Sequence, residues 1–269
     1  MVGDVQEELE RLRIQHRWLQ MCLKDKIVFA PVDLNKEGLK ILDMGCADGT
    51  LLRDLQKNVP SSAELVGADV STIFMPTSSQ GNIRYVTQDV CDPPANNLKG
   101  IFDLTHVRHV LHSTSRSGVE KAVAHLAETL APGGWLQTME MDFSLEQPGQ
   151  PQALKDAIRV VGDLMEAVGM DREYPRQLPE AFKKAGLQNV VVEKIDCKIG
   201  RVYGNDADMN LSIEPFKRAI PLMAKRCKMV CLDTPSSISE NLEERYVKEM
   251  TEKGGVFPIF IVYGQKPLA

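Results

Sequence analysis

Apolar residues at Val5, Leu9, Leu12, Leu19, Cys22 and Leu23 recur at mostly helical spacing with Arg and Glu between them, which predicts an amphipathic helix over residues 5–23. From Leu39 the pattern changes to short apolar runs separated by helical stretches: LKILDMG, LLRDLQKNV, AELVGADV, IRYVTQDV, FDLTHVRHV, a helix from Val119 to Leu130, then GGWLQTMEM. Strands alternating with helices mark right-handed βαβ units, so the expected fold is α/β with a parallel, doubly wound sheet. Beyond the fifth strand, Leu154, Ala157, Ile158, Val161, Leu164, Met165 and Val168 form one continuous helical face. A helix over PEAFKKAGL, with Gly186 suited to its C-cap, leads to the strand NVVVEKI, and a second non-strand insert runs from Gly200 to Asp233. A further helix ends near Thr251. It starts either at Thr234, with Pro235 in the first turn, or at Ser237, with Glu240 completing a capping box. The last run, VFPIFIVYGQ, reads as a strand.

Composition narrows the partners. Lys and Arg number 32 against 37 Asp and Glu, a net charge of -5, and no basic run is present to neutralise a series of phosphates, so nucleic acid is not expected. The charged start has no signal-peptide core and the longest apolar run, 256–263, is too short to span a bilayer, so a cytoplasmic protein without a membrane partner is expected. The 6 cysteines are scattered, suggesting neither a disulfide framework nor a metal site, and Cys227 and Cys231 read as packing residues. The length of 269 residues favours one domain. Its expected parts are a helical segment at 1–36, a cofactor-binding core at 37–143, helical lid inserts at 144–178 and 200–235, and a last helix and strand at 236–269.

The chemistry starts in ILDMGCADGT, residues 41–50. A Walker loop needs Lys and then Ser or Thr after its second glycine, whereas Gly49 is followed by Thr50 and Leu51. A dinucleotide fingerprint needs G-x-G-x-x-G, but Ala47 holds the middle position and Asp43 sits where a pyrophosphate would be repelled. A carboxylate there suits a ligand with positive charge. S-adenosylmethionine carries an ammonium and a sulfonium, so Asp43 is favourable near its amino-acid end, while Gly45 and Gly49 let the backbone pass under the ribose and methionine tail. Asp69, at the end of the second strand and beside Val70, is suited to accept both ribose hydroxyls. Asp89 is suited to the adenine amino group, with the Val90 N–H facing the ring and Ile73 or Phe74 flanking it.

The order of these motifs resembles the class I S-adenosylmethionine-dependent methyltransferases. More narrowly, the chain resembles the fungal secondary-metabolism methyltransferases, a group that includes a global regulator of such pathways. That likeness rests on ERLRIQHRWLQMCLKDKIVFAP ahead of ILDMGCADG, on FDLTHVRHV, on LAPGGWLQTMEMD and on the order of the two inserts. It implies a Rossmann-like sheet of seven strands, the last antiparallel, with helices on both faces, an N-terminal helix and helical lid inserts. One departure stands in the loop: Cys46 and Ala47 replace the common T-G, so the central glycine is lost while a small residue remains.

The same resemblance implies that Arg108, His109, Val110 and His112 lie beside the methyl, with Glu140, Met141 and Asp142 bordering the cleft. His112 is the preferred base, since a histidine titrates near neutrality, or else a histidine bonded at a helix start; Glu140 or Asp142 is the substitute. Arg108 counts with the cofactor residues, and His109, Met141 and Asp142 with those that hold the acceptor. Gln15, His16 and Arg17 resemble the Q-H of the family's first helix and are expected either near the methionine carboxylate, Arg17 by its charge, or on a solvated helix face. Met209, Phe216 and Met223 are expected to wall an apolar acceptor pocket or else to be the packing under a lid, while His106, inside a strand, reads as a core histidine. The expected function is methyl transfer to an oxygen, less favoured a nitrogen, of a small apolar secondary metabolite. The alternatives are a partner-binding regulator and a cyclase that uses the bound cofactor without transferring its methyl.

Overall fold

Along the chain of the computed structural model, which describes residues 5–143, 149–233 and 236–268, helix α1 (Val5–Leu23) precedes β1 (Lys40–Met44), α2 (Thr50–Gln56), β2 (Glu64–Asp69) and β3 (Ile83–Thr87). Then come β4 (Phe102–Arg108), α3 (Val119–Glu128), β5 (Leu130–Met141), α4 (Gln152–Ala167), α5 (Tyr174–Lys184) and β6 (Gln188–Ile199). The chain closes with α6 (Asp206–Met229), α7 (Ser236–Ser239), α8 (Leu242–Glu252) and β7 (Gly255–Gln265). The sheet order is β3-β2-β1-β4-β5-β7-β6, with β1 parallel to β2 and β4, β2 to β3, and β4 to β5. The Gly133 N–H donates to Lys266 O at 3.0 Å and Thr138 Oγ1 to Val262 O at 3.3 Å. Residue numbers thus fall along β7 as they rise along β5, and the last strand is antiparallel.

The hydrophobic pattern explains most of this order, and three boundaries differ from it. The strand expected from GGWLQTMEM begins earlier, at Leu130, where the expected helix from Val119 was to end, with Gly133 left-handed and the pairing with β4 shifted between Phe102 and Leu104. Strand β6 continues past NVVVEKI to Ile199, because Cys197 and Ile199 are buried while Asp196 and Lys198 face outward. The helix expected to end near Thr251 is divided into α7 and α8 at Asn241, whose φ of 49° leaves the helical region. Its alternative start at Thr234–Pro235 lies outside the described residues.

The chain forms two compact units. One contains Lys26–Glu140, Pro175–Lys194 and the chain from Phe260. In it Leu51, Leu52 and Leu55 of α2 pack on Ile41, Leu65, Ile83 and Leu104 of the sheet, strands buried on both faces as parallel sheets require. The other contains the chain up to Asp25, Met141–Tyr174 and Ile195–Ile259. There Phe216 of α6 is the centre of an aromatic cluster, its ring 5.8 Å from Trp18, 6.0 Å from Tyr246 and 5.0 Å from Phe257. The indole N–H of Trp18 donates to Lys198 O at 3.0 Å and so fastens α1 to the end of β6.

Candidate functional site

In the first unit the chain leaves β1 towards β2 on one side and returns through β4 on the other. Ligands in open α/β sheets bind at such a reversal, outside the carboxyl ends of the strands. The loop from Gly45 to Gly49 lies there. Gly45 and Cys46 both donate their N–H groups to Ala68 O, at 2.7 and 3.1 Å, tying the loop to β2. Gly45 and Gly49 have φ of 80° and 76°, and a Cβ on Gly45 would run into Val110 while one on Gly49 would run into Tyr85. Ala47, in the place of the lost glycine, keeps the left-handed conformation at φ 47°. Its N–H is held by Asp69 Oδ2 at 3.0 Å.

Three of the expected acids stand at these strand ends. Asp69 also accepts from the Ser71 N–H at 2.8 Å through its other oxygen; burial raises its pKa above 3.8, while the bonds from Ser71 and Ala47 oppose the rise. Asp43 and His106 are register partners on β1 and β4, and His106 Nδ1 lies 2.8 Å from Asp43 Oδ1. Asp89 follows β3. One of its oxygens accepts from the Cys91 N–H at 2.8 Å and the other pairs with Arg116 at 3.0 Å, a partner the sequence pattern did not announce. Val90 is buried, whereas Val70 and Ile73 are exposed. The Cys46 thiol is pushed far above its ordinary range by burial and then by the charges of Asp43 and Asp69, so it remains a thiol.

The end of β4 supplies the other candidates. Burial lowers the Arg108 guanidinium below its ordinary value, with Asp43 opposing. His109 takes φ 55°, a strained conformation for a side chain of its size. His112 sits half-buried in a tight turn over Leu111–Ser113. That turn is held from β5: Glu140, fully buried, accepts the N–H groups of Val110 at 3.2 Å and Leu111 at 3.1 Å through Oε1. Glu140 therefore has a positioning task that strand periodicity did not reveal. Gln137 has a further task that no motif in the sequence signals. Its buried amide accepts from Phe29 and Ala30, at 2.7 and 3.0 Å, and donates to Ile27 O at 2.9 Å.

The remaining candidates belong to the other unit. Gln15 and Arg17 are on α1, with Arg17 exposed and 3.5 Å from Glu10. Met141 and Asp142 are buried at the end of β5, the Asp142 N–H donating to Pro258 O at 3.3 Å. Phe216 and Met223 line a cavity of about 250 Å³ with Ala157, Val160, Ile220 and Leu242; Met209 is buried on α6 but is not among the lining residues. Among the described residues no group of three or more His, Cys, Asp or Glu is arranged to hold a metal, and no helix is long and apolar enough to cross a membrane.

Comparisons with known proteins show the family and the fold. A family model described as a methyltransferase domain matches residues 14–192. The chain is similar to methyltransferase psoC of Aspergillus fumigatus, 29% identical over 261 residues that cover 97% of this chain and 95% of that protein. It is also similar to N-methyltransferase tcpN of Claviceps purpurea, 27% identical over 266 residues, covering 97% and 95%. A solved structure of Haemonchus contortus phosphoethanolamine N-methyltransferase 2 in complex with S-adenosyl-L-methionine shares the fold. Its TM-score is 0.52 at 15% identity, over 96% of this chain and 52% of that one.

Proposed function

The chain belongs to the methyltransferase-domain family and takes S-adenosylmethionine as its methyl donor, and from that premise we propose that its acceptor is a small, largely apolar secondary metabolite, methylated at nitrogen or oxygen. The observation that carries the cofactor half of the reading is the set of acids at the reversal point, Asp43, Asp69 and Asp89, on a loop that glycines keep low. This donor set fits the ligand: acceptors for hydroxyls and an amino group, and negative charge for a cation. We assign Asp69 to the ribose, Asp89 with Val90 to the adenine and Asp43 to the amino-acid end.

When bound, the cofactor supplies a methyl on positively charged sulfur. The protein's part is alignment, because in-line displacement at carbon gains most from holding nucleophile and methyl in register. His112, on the turn held by Glu140, takes the proton of a hydroxyl or of an N–H as the methyl moves. The apolar cavity of the helical unit supports an apolar acceptor. The resemblance by itself favours oxygen; the relative tcpN, an N-methyltransferase that matches over nearly its whole length, weighs towards nitrogen.

Incubation with methyl-labelled cofactor and extracts of candidate metabolites tests the reading. The expected result is a labelled small molecule heavier by one methyl, whose carbon shift tells N-methyl from O-methyl. A product of unchanged mass would replace the reading with cyclisation. Stable capture of a protein without labelled product would replace it with a regulator.

A further inference from the structure

We propose that His106 is a positioning residue for the cofactor: by holding one oxygen of Asp43 it presents the other to the ammonium group at the amino-acid end. The proposal rests on the assignment of Asp43 made above. His106 is fully buried on β4, directly across from Asp43 on β1, in a stretch where Leu42, Met44, Leu104 and Val107 are buried and apolar. Burying a carboxylate and an imidazole there is costly, and an apolar pair would fill the same register at lower cost.

The imidazole is anchored at one nitrogen only. Nδ1 lies 2.8 Å from Asp43 Oδ1, and Nε2 is buried with no hydrogen-bond partner among the described residues. This selects the tautomer. A proton on Nε2 would leave a buried N–H without an acceptor and would turn the Nδ1 lone pair towards a carboxylate oxygen. With the proton on Nδ1 the ring donates to Oδ1 and leaves the charge of Asp43 in place. Oδ1 is thereby committed, and Oδ2 is the oxygen left to a ligand. Because the ring is fixed by β4, Asp43 has a single orientation before the cofactor arrives, which removes an ordering cost from binding.

Three probes separate this role from a merely structural one: S-adenosylmethionine, S-adenosylhomocysteine, which keeps the ammonium but loses the sulfonium, and methylthioadenosine, which has neither. In His106→Leu, affinity for the first two should fall roughly tenfold, the scale of one charge-assisted bond, with methylthioadenosine affinity holding within about twofold. His106→Asn, which restores an N–H donor, should recover part of the loss. The double variant Asp43→Asn/His106→Leu should bind no more weakly than Asp43→Asn alone, since the histidine acts only through the acid. Equal loss on all three probes, loss on S-adenosylmethionine alone, additivity in the double variant, or no loss at all would overturn the proposal. If Asp43→Asn itself keeps full affinity, the assignment of Asp43 falls and the proposal with it. A neutral His106→Leu beside a weakened Asp43→Asn overturns the proposal alone.

Discussion

Ala47 shows how a single residue carries both cost and constraint. An L-residue in the left-handed region costs roughly 1–2 kcal/mol, and glycine at the same place gives back about 0.4–1 kcal/mol through a freer unfolded chain. Ala47→Gly should therefore stabilise the protein by about 1 kcal/mol or slightly less, read as a higher urea midpoint at unchanged slope. Asp69 works in the opposite sense. Its folded pKa is raised above 3.8, so the folded state holds the proton more firmly than the unfolded chain and the residue costs stability as pH rises from about 3.8 through the folded value. Across that window wild-type stability should decline relative to Asp69→Ala, and urea midpoints of the two proteins at several pH values check the sign. At neutral pH the same variant should weaken cofactor binding by roughly 1.5–3 kcal/mol, by calorimetric titration, because it removes charge-assisted acceptors.

At the scale of elements, the turn after β4 depends on β5. His112→Ala should lower turnover about 10²-fold or more at nearly unchanged cofactor affinity, with partial recovery as pH rises; a histidine that only steadies the turn would instead cost about 1 kcal/mol of stability and spare turnover. Turnover and melting on one preparation distinguish the two. In the segment before β1, the backbone groups of Phe29, Ala30 and Ile27 are held by the Gln137 side chain. Gln137→Leu fills the volume but strands two N–H groups and a carbonyl. It should destabilise by about 3 kcal/mol or more, at roughly 1–3 kcal/mol for each of the two buried N–H groups and less for the half-buried carbonyl, measured by urea unfolding. Neither fastening was legible beforehand: periodicity tells which residues of β5 are buried, not which polar one is aimed at a turn or a connecting segment.

For the whole molecule, the ligand is part of the stability. Cofactor at a hundred times its Kd should stabilise the folded chain by about 2.7 kcal/mol, seen as a melting temperature that rises with cofactor concentration. Addition of methylthioadenosine at the same multiple of its own Kd should give the same shift, since mass action depends on occupancy and not on which contacts supply it. The cooperativity of the transition bears on the two compact units. A single transition that moves as a whole means that occupancy at the β1 loop stabilises both, and a split one means that it stabilises only the unit holding that loop.

The amino-acid sequence determined the order of strands and helices, the glycine-spaced loop and the acids at the ends of β2 and β3, because these follow from neighbours in the chain: apolar period, turn residues and strand ends. It also disclosed the replacement at Ala47. Tertiary structure decided what those residues hold. Asp43 meets His106 63 residues away, Val110 meets Glu140 30 residues away and Phe29 meets Gln137 108 residues away, all through the placement of β1, β4 and β5 side by side. Hydrogen bonds across a sheet depend on register, and register is set by the packing of whole strands and helices. No window along the chain contains that information.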